Sequence, residues 1–259
     1  MGQSFRRPES PRHNHNEAPP LPRHPGLPIL FAGDPHRNFT PILRACLTLA
    51  PGHLVLTGDL DCPRPLTEIM APILAAGWQV HWILGNHDCE TESAYDNLVS
   101  DHPSGCLDYR VADLGGVRVA GLPGVFKPSV WHPRAEPGSN QIDPPRFRDR
   151  AGFLAAQPKP RWWRAGLPLW HRDSIFPADV AALSGQKFDV LVAHEAPSCH
   201  RHGFAAVDEL AAAGGARLIV HGHHHDSYSA TLPNGIAVRG LGLAEPWPLP
   251  LLFGDGGRG

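Results

Sequence analysis

Five short apolar runs recur along the chain: PILFAG (28–33), HLVLTG (53–58), VHWILG (80–85), FDVLVAH (188–194) and RLIVHG (217–222). Each is of strand length, rich in Val, Ile and Leu, and apolar almost without interruption. That is the pattern of a strand covered on both faces. Segments of helical character lie between or after them: TPILRACLTLA (40–50), PLTEIMAPILAAG (65–77), TESAYDNLVSD (91–101) and AAVDELAAAGG (205–215). Thr40 before Pro41 fits a cap followed by proline at the first helical position, and Gly77 fits a helix stop. Two further stretches read as hairpins: LDYRVADLGGVRVAG (107–121), turning at Gly115-Gly116, and YSATLPNGIAVRGL (228–241), turning at Asn234-Gly235. Strands alternating with helices, plus antiparallel hairpins, predict a mixed α/β sandwich.

The pattern also sets the domain organisation. Residues 1–27, rich in Pro, Arg, His and Asn, cannot build a core and are expected to be a disordered tail. Residues 28–250 form a single domain, and 251–259 a flexible C-terminus. Within the domain, 124–175 break the rhythm with many prolines and four tryptophans, Trp131, Trp162, Trp163 and Trp170. From Lys127 to Arg172 there are nine Lys and Arg against three Asp and Glu. A long connection of this kind is an active-site lid, a specificity insert or disorder.

Composition narrows the function classes. A formal charge of −2 over 259 residues gives no global reason to expect nucleic acid or an acidic membrane as partner. Five scattered cysteines without a CxxC pair argue against a disulfide scaffold or a structural zinc knuckle, so a reducing cytoplasm is the expected setting. No run approaches the ~18 apolar residues of a membrane span. The 17 histidines stand out, because neutral imidazole is the commonest metal ligand among side chains.

The apolar runs end in the residues that carry chemistry. The first leads to Asp34-Pro35-His36, the second to Asp59, the third to Asn86-His87-Asp88, the fourth to His194 and the fifth to His223-His224-His225. The carboxyl ends of parallel strands line one crevice, where ligands bind. Asp34 and His36 are two apart, as are His223 and His225; in extended backbone such pairs point to one side. On that geometry Pro35 and His224 turn away.

These motifs in this order, D-x-H, GD, GNHD, a lone His after a strand and GHxH, resemble the calcineurin-like metallophosphoesterase superfamily. They span Asp34 to His225. The resemblance implies a four-layer αββα sandwich of two mixed β-sheets flanked by helices, with a two-metal site at one sheet edge. By motif position, Asp34, His36 and His225 would hold one ion. Asn86, His194 and His223 would hold the second, and Asp59 would bridge both. His87 would be the non-ligand catalytic histidine, oriented by Asp88.

Two divalent ions about 3.5–4 Å apart lower the pKa of a shared water and offset charge on phosphoryl oxygens. The expected reaction is therefore hydrolysis of a phosphomonoester or phosphodiester by in-line attack of a bridging hydroxide, with a protonated His87 either stabilising the transition state or protonating the leaving group as general acid. The imidazole, carboxylate and amide donors suit Mn, Fe or Zn without choosing among them. Arg37, where many relatives have Gly, is positioned in sequence to contact substrate phosphate or to stand in solvent. The segment LDCPRP after Asp59, and GNHD in place of GNHE, depart from Ser/Thr protein phosphatases. The Trp- and Arg-rich insert suits either a nucleotide or single strand, or internal packing of a small subdomain. The alternatives are thus a nuclease or nucleotide phosphodiesterase using the insert, and a non-catalytic metal- and phosphate-binding regulatory module.

Overall fold

The computed structural model describes residues 27–134 and 144–250; the expected N-terminal tail (apart from Leu27) and C-terminus (251–259) lie outside the described residues. Ten strands form two mixed sheets. They are β1 (Ile29–Ala32), β2 (His53–Leu56), β3 (Gln79–Trp82), β4 (Val111–Leu114), β5 (Val117–Leu122), β6 (Val190–Ala193), β7 (Leu218–His221), β8 (Tyr228–Thr231), β9 (Ala237–Gly240) and β10 (Pro246–Pro248). One sheet has the order β10-β1-β2-β3 and the other β4-β5-β6-β7-β9-β8. The five apolar runs supply β1, β2, β3, β6 and β7, so they divide between two sheets.

Alternation explains the layers. Ile29 and Phe31 of β1 and Val55 of β2 meet Val119, Val190, Val192 and Val220 of the other sheet. Leu30, Ala32, Leu54 and Leu56, one residue out of phase, pack beneath the helical segments at Thr40–Thr48, Leu66–Ile69 and Ala71–Ala75. On the far side Leu191, Ala193 and Ile219 pack under the helices Pro177–Ser184 and Ala205–Gly214. Helix, sheet, sheet, helix is the four-layer sandwich, and β1 and β6 are apolar throughout because both their faces are covered.

Both hairpins form. Leu114 pairs with Val117 across Gly115-Gly116, whose φ of 66° and 92° suit a two-residue turn of the primed type. At the second, Leu232 and Gly235 close a turn through a 2.9 Å bond, Leu232 N–H reaches the Ile236 carbonyl, and Gly235 alone is left-handed. The turn is therefore a three-residue loop over 233–235, not a two-residue Asn-Gly turn. The helix expected over 91–101 is α-helical at Glu92–Tyr95 and π-helical at Asp96–Ser100.

A buried histidine pair in the four-stranded sheet ties stability to pH. His53 Nδ1 and His81 Nε2 are 3.2 Å apart, a spacing that one shared proton satisfies. Burial pushes the His81 imidazole down to about 4, with His53 adding to the effect. The unfolded chain takes up that proton below about 6.5 while the folded chain refuses it, so stability falls as pH drops from 6.5 towards 4. Between pH 7 and pH 5 the pair is expected to cost about 2 kcal/mol. Urea unfolding of wild type and His81→Leu at both pH values checks this; the variant should lose correspondingly less.

Candidate active site

The parallel strands end in register. Ala32 pairs with Leu56, Leu56 with Trp82, and Ala193 with His221. The residues after each strand therefore gather at one edge of the sandwich. The two Asp carboxylates there are buried: Asp34 is 0 % and Asp59 1 % exposed.

Asp59 is the hub. Its Oδ2 lies 3.6 Å from His36 Nε2 and 3.4 Å from His194 Nε2. Its Oδ1 accepts the His87 backbone N–H at 2.9 Å. Two sets of potential ligand atoms, each within 4.8 Å of one another, share it: His36, Asp59 and His87, and Asp59, His194 and His223. His225 joins the first side, its Nε2 3.1 Å from His36 Nε2 and 3.7 Å from Asp34 Oδ2. Asn86 joins the second, its Oδ1 3.2 Å from His194 Nε2. All seven expected ligands thus meet at one mouth.

The route to that mouth is not the extended backbone expected from the spacing. His36, Asp59, His223 and His225 all have positive φ, at 40°, 51°, 69° and 56°. Left-handed conformations are costly for residues with a Cβ and collect at functional sites. Sharp turns, rather than strand alternation, bring His223 and His225 to the site. His224 does turn away and stacks on His200, with ring centroids 4.3 Å apart. Gly222 is required by close approach: a Cβ there would stand 2.3 Å from Asp34 Oδ1.

The donor set fits a cation. Asp34 Oδ1 is buried without a hydrogen-bond partner among the described residues, while Oδ2 accepts the His223 backbone N–H at 2.6 Å. His194 Nδ1 donates to the Thr57 carbonyl at 2.8 Å, which leaves Nε2 facing the two acceptors Asp59 and Asn86. Fixing the tautomer through the far ring nitrogen is how metal-binding histidines are oriented. Burial alone would lower the His194 imidazole, but Asp59 and Asp34 overcome it and raise the group to about 10. Burial pushes Asp34 up to about 7, although His194 opposes it. Burial likewise resists ionisation of Asp59, yet His194 and its hydrogen bonds hold it well below the usual carboxylate range. Burial pushes His223 down to about 3, the neutral form a ligand needs.

Two of the expected site residues have other partners in the structure. Asp88 does not hold the His87 ring: its Oδ1 accepts from the amides of Leu60 and Asp61, both at 2.9 Å, and its Oδ2 from Gly85 at 2.8 Å. The His87 ring instead has Nδ1 2.9 Å from Glu90 Oε1. Asp88 therefore pins the Asp59 loop to the Asn86 loop. Arg37 is forked onto Asp61 at 2.5 and 3.1 Å, so its guanidinium is already engaged. Asp88→Ala would leave three inward amides without an acceptor, each costing about 1–3 kcal/mol when buried. A loss of about 3 kcal/mol or more is expected in urea unfolding of the metal-free protein, and a loss below about 1 kcal/mol would show that water replaces the carboxylate.

A cleft of about 400 Å³ opens beside the candidate ligands, lined by Asn86 and His223 together with Phe126, Lys127, Trp170 and Glu195. The sequence signals for the last three were weak: Glu195 follows His194 directly, but Lys127 and Trp170 lie in the insert. In the described part of the insert, Val130, Phe153 and Leu167 form a small core with Phe176, just beyond its end. The two ends of the insert are tied by Val125 N–H to the Asp173 carbonyl at 2.9 Å, and Gly124 N–H reaches the Leu84 carbonyl of the sandwich at 2.7 Å. Residues 135–143 of the insert lie outside the described residues.

Comparison with known proteins bears on the family and the fold. A family model described as calcineurin-like phosphoesterase matches residues 27–227. An uncharacterized protein of Haemophilus influenzae is 39% identical over 202 residues, 78% of this chain and 84% of its own. The solved structure of TT1561 of Thermus thermophilus aligns with a TM-score of 0.51 at 10% identity, over 85% of this chain and 90% of that one. The phosphopantetheinyl hydrolase of Mycobacterium tuberculosis aligns with a TM-score of 0.46 at 17% identity, over 85% and 90%. No helix among the described residues is long and apolar enough to cross a membrane.

Proposed function

The chain belongs to the calcineurin-like phosphoesterase family, and from that premise we propose that it hydrolyses a phosphomonoester or phosphodiester with two divalent ions. The observation that carries this reading is the membership of Asp59 in both groups of ligand atoms. Asp34, His36 and His225 would hold one ion, Asn86, His194 and His223 the other, and Asp59 both. The donors are imidazole, carboxylate and amide, which suit Mn, Fe or Zn. When bound, the ions supply Lewis-acid chemistry, activating water and offsetting charge on phosphoryl oxygens.

The chain's own groups do the rest. Burial of Asp34 and Asp59 and the fixed tautomer of His194 preorganise the donors, so little reorganisation remains when substrate arrives. The oxygen of water bonds to phosphorus as the bond to the leaving oxygen breaks. His87, half-exposed at the mouth, gives that leaving oxygen its proton and is reprotonated from solvent, while the attacking water releases one of its own. Asp88 acts through the backbone, keeping the Asp59 and Asn86 loops at their spacing. No phosphate contact is assigned to Arg37, whose fork Asp61 fills. A nuclease reading has less support, because Arg150 and Arg164 of the insert are paired with Asp179 and Asp96.

The test is reconstitution of metal-stripped protein with Mn²⁺, Fe²⁺ or Zn²⁺, followed by p-nitrophenyl phosphate, bis-p-nitrophenyl phosphate and single-stranded DNA. Metal-dependent turnover of one or both small esters is expected. Two ions bound with no turnover of any ester would make the protein a binding module.

A further inference from the structure

Four tryptophans fall in the insert, and the structure gives them different work. Trp131 packs edge-on against Phe126, with ring centroids 5.1 Å apart. Trp162 donates its indole N–H to the Gln157 carbonyl at 3.2 Å. Trp163 lies between two guanidiniums, Arg164 at 4.1 Å and Arg172 at 4.7 Å from its ring centre, with Tyr95 edge-on at 5.1 Å. Trp170 alone among them is left largely open, 57 % exposed, and it lines the cleft that Asn86 and His223 also line.

Trp170 is held in place rather than hanging free. It sits in a 3₁₀ turn, Leu169–His171, with the His171 ring 3.9 Å behind it. The Lys127 ammonium donates to the Trp170 carbonyl and, at 2.7 Å, to Asp173 Oδ1. That clasp joins the two ends of the insert beneath the ring. A rigid, solvent-facing indole costs little entropy to use and offers a flat face to another ring. Glu195 lines the same cleft and is 3 % exposed, with Oε1 fixed by the Phe126 amide at 3.0 Å. The cleft volume of about 400 Å³ falls in the range of small-molecule sites.

Resting on the hydrolase reading above, we propose that the leaving group is the nucleoside of a mononucleotide, its base stacked on Trp170 while its phosphate sits at Asn86 and His223. A nucleic-acid strand fits less well. Strand binders use successive stacking faces along a basic track, and here one indole is open while Arg150 and Arg164 are ion-paired.

The reconstituted holoenzyme and its Trp170→Ala and Trp170→Phe variants test this with two readouts. The first is the ratio of kcat/KM for adenosine monophosphate to that for glycerol phosphate. Wild type is expected to prefer the nucleotide, Trp170→Ala to lose that preference by about 10- to 100-fold, the usual effect of removing one stacked base, and Trp170→Phe to keep most of it. The second is calorimetric binding of adenosine monophosphate to the metal-loaded protein under conditions where turnover is blocked by cold, with a similar weakening in Trp170→Ala. An unchanged ratio and unchanged affinity in Trp170→Ala would overturn the nucleoside seat while leaving the hydrolase standing. Tight nucleotide binding through Trp170 with no turnover of any ester would do the reverse. An oligonucleotide bound more tightly than the mononucleotide, with loss in Trp170→Ala, would replace the mononucleotide by a strand.

Discussion

Alanine in place of His87 is expected to lower kcat for an alkyl phosphate by about 10²- to 10⁴-fold, the usual worth of a positioned proton donor, with both ions still bound. The geometry separates these effects. His87 is tied to Asp59 through its backbone N–H at 2.9 Å, a bond that any residue at the position retains. Its ring stands edge-on to His36 with centroids 4.9 Å apart and faces Glu90 on the other side. Removing the ring therefore takes away the proton donor and leaves Asp59 anchored. The loss should be steep for glycerol phosphate, whose leaving alkoxide needs a proton, and slight for p-nitrophenyl phosphate, whose phenolate leaves without one. Elemental analysis of the variant completes the test. Loss of an ion would make His87 a ligand, a role its proximity to His36 and Asp59 also permits. Equal losses for both leaving groups would assign the ring to the phosphoryl oxygens instead.

Asp59→Ala should be more damaging still. Changing a residue that merely orients a ligand costs about 10–100-fold in metal affinity or activity. Asp59 is closer to the chemistry than that: its Oδ2 reaches both imidazole sets, and its Oδ1 secures His87. Activity is expected to fall by about 10³-fold or more, beyond that range, and both ions should be lost together. His225→Ala is the contrasting variant, because its imidazole lies against Asp34 and His36. It should weaken one ion and spare the other. If Asp59→Ala kept one ion at full occupancy, the carboxylate would serve a single site.

The strands and the candidate ligands after them were legible because both leave local marks. A strand covered on two faces must be apolar throughout, as Ile29–Ala32 and Val190–Ala193 are, and the polar residue that follows it is conspicuous. Roles that depend on distant backbone left no such mark. The carboxylate of Asp88 serves amides 27 and 28 residues away as well as Gly85, partners that its place in the GNHD motif does not reveal. The turns at His36, His223 and His225 are left-handed, a choice that side-chain periodicity does not encode. The helix Pro177–Ser184 was missed because Leu183 is its one fully buried residue and its apolar positions are spread around it. The insert broke the rhythm of the chain because Val130, Phe153 and Leu167, which form a small core with Phe176, are too scattered to make a period.

Anomalous scattering from crystals grown with excess Mn²⁺ tests the metal assignment most directly. Two peaks are predicted, one touched by Asp34, His36 and His225 and the other by Asn86, His194 and His223, with Asp59 contacting both. A single peak, or ions held by Glu195 and His224 away from Asp59, would contradict it.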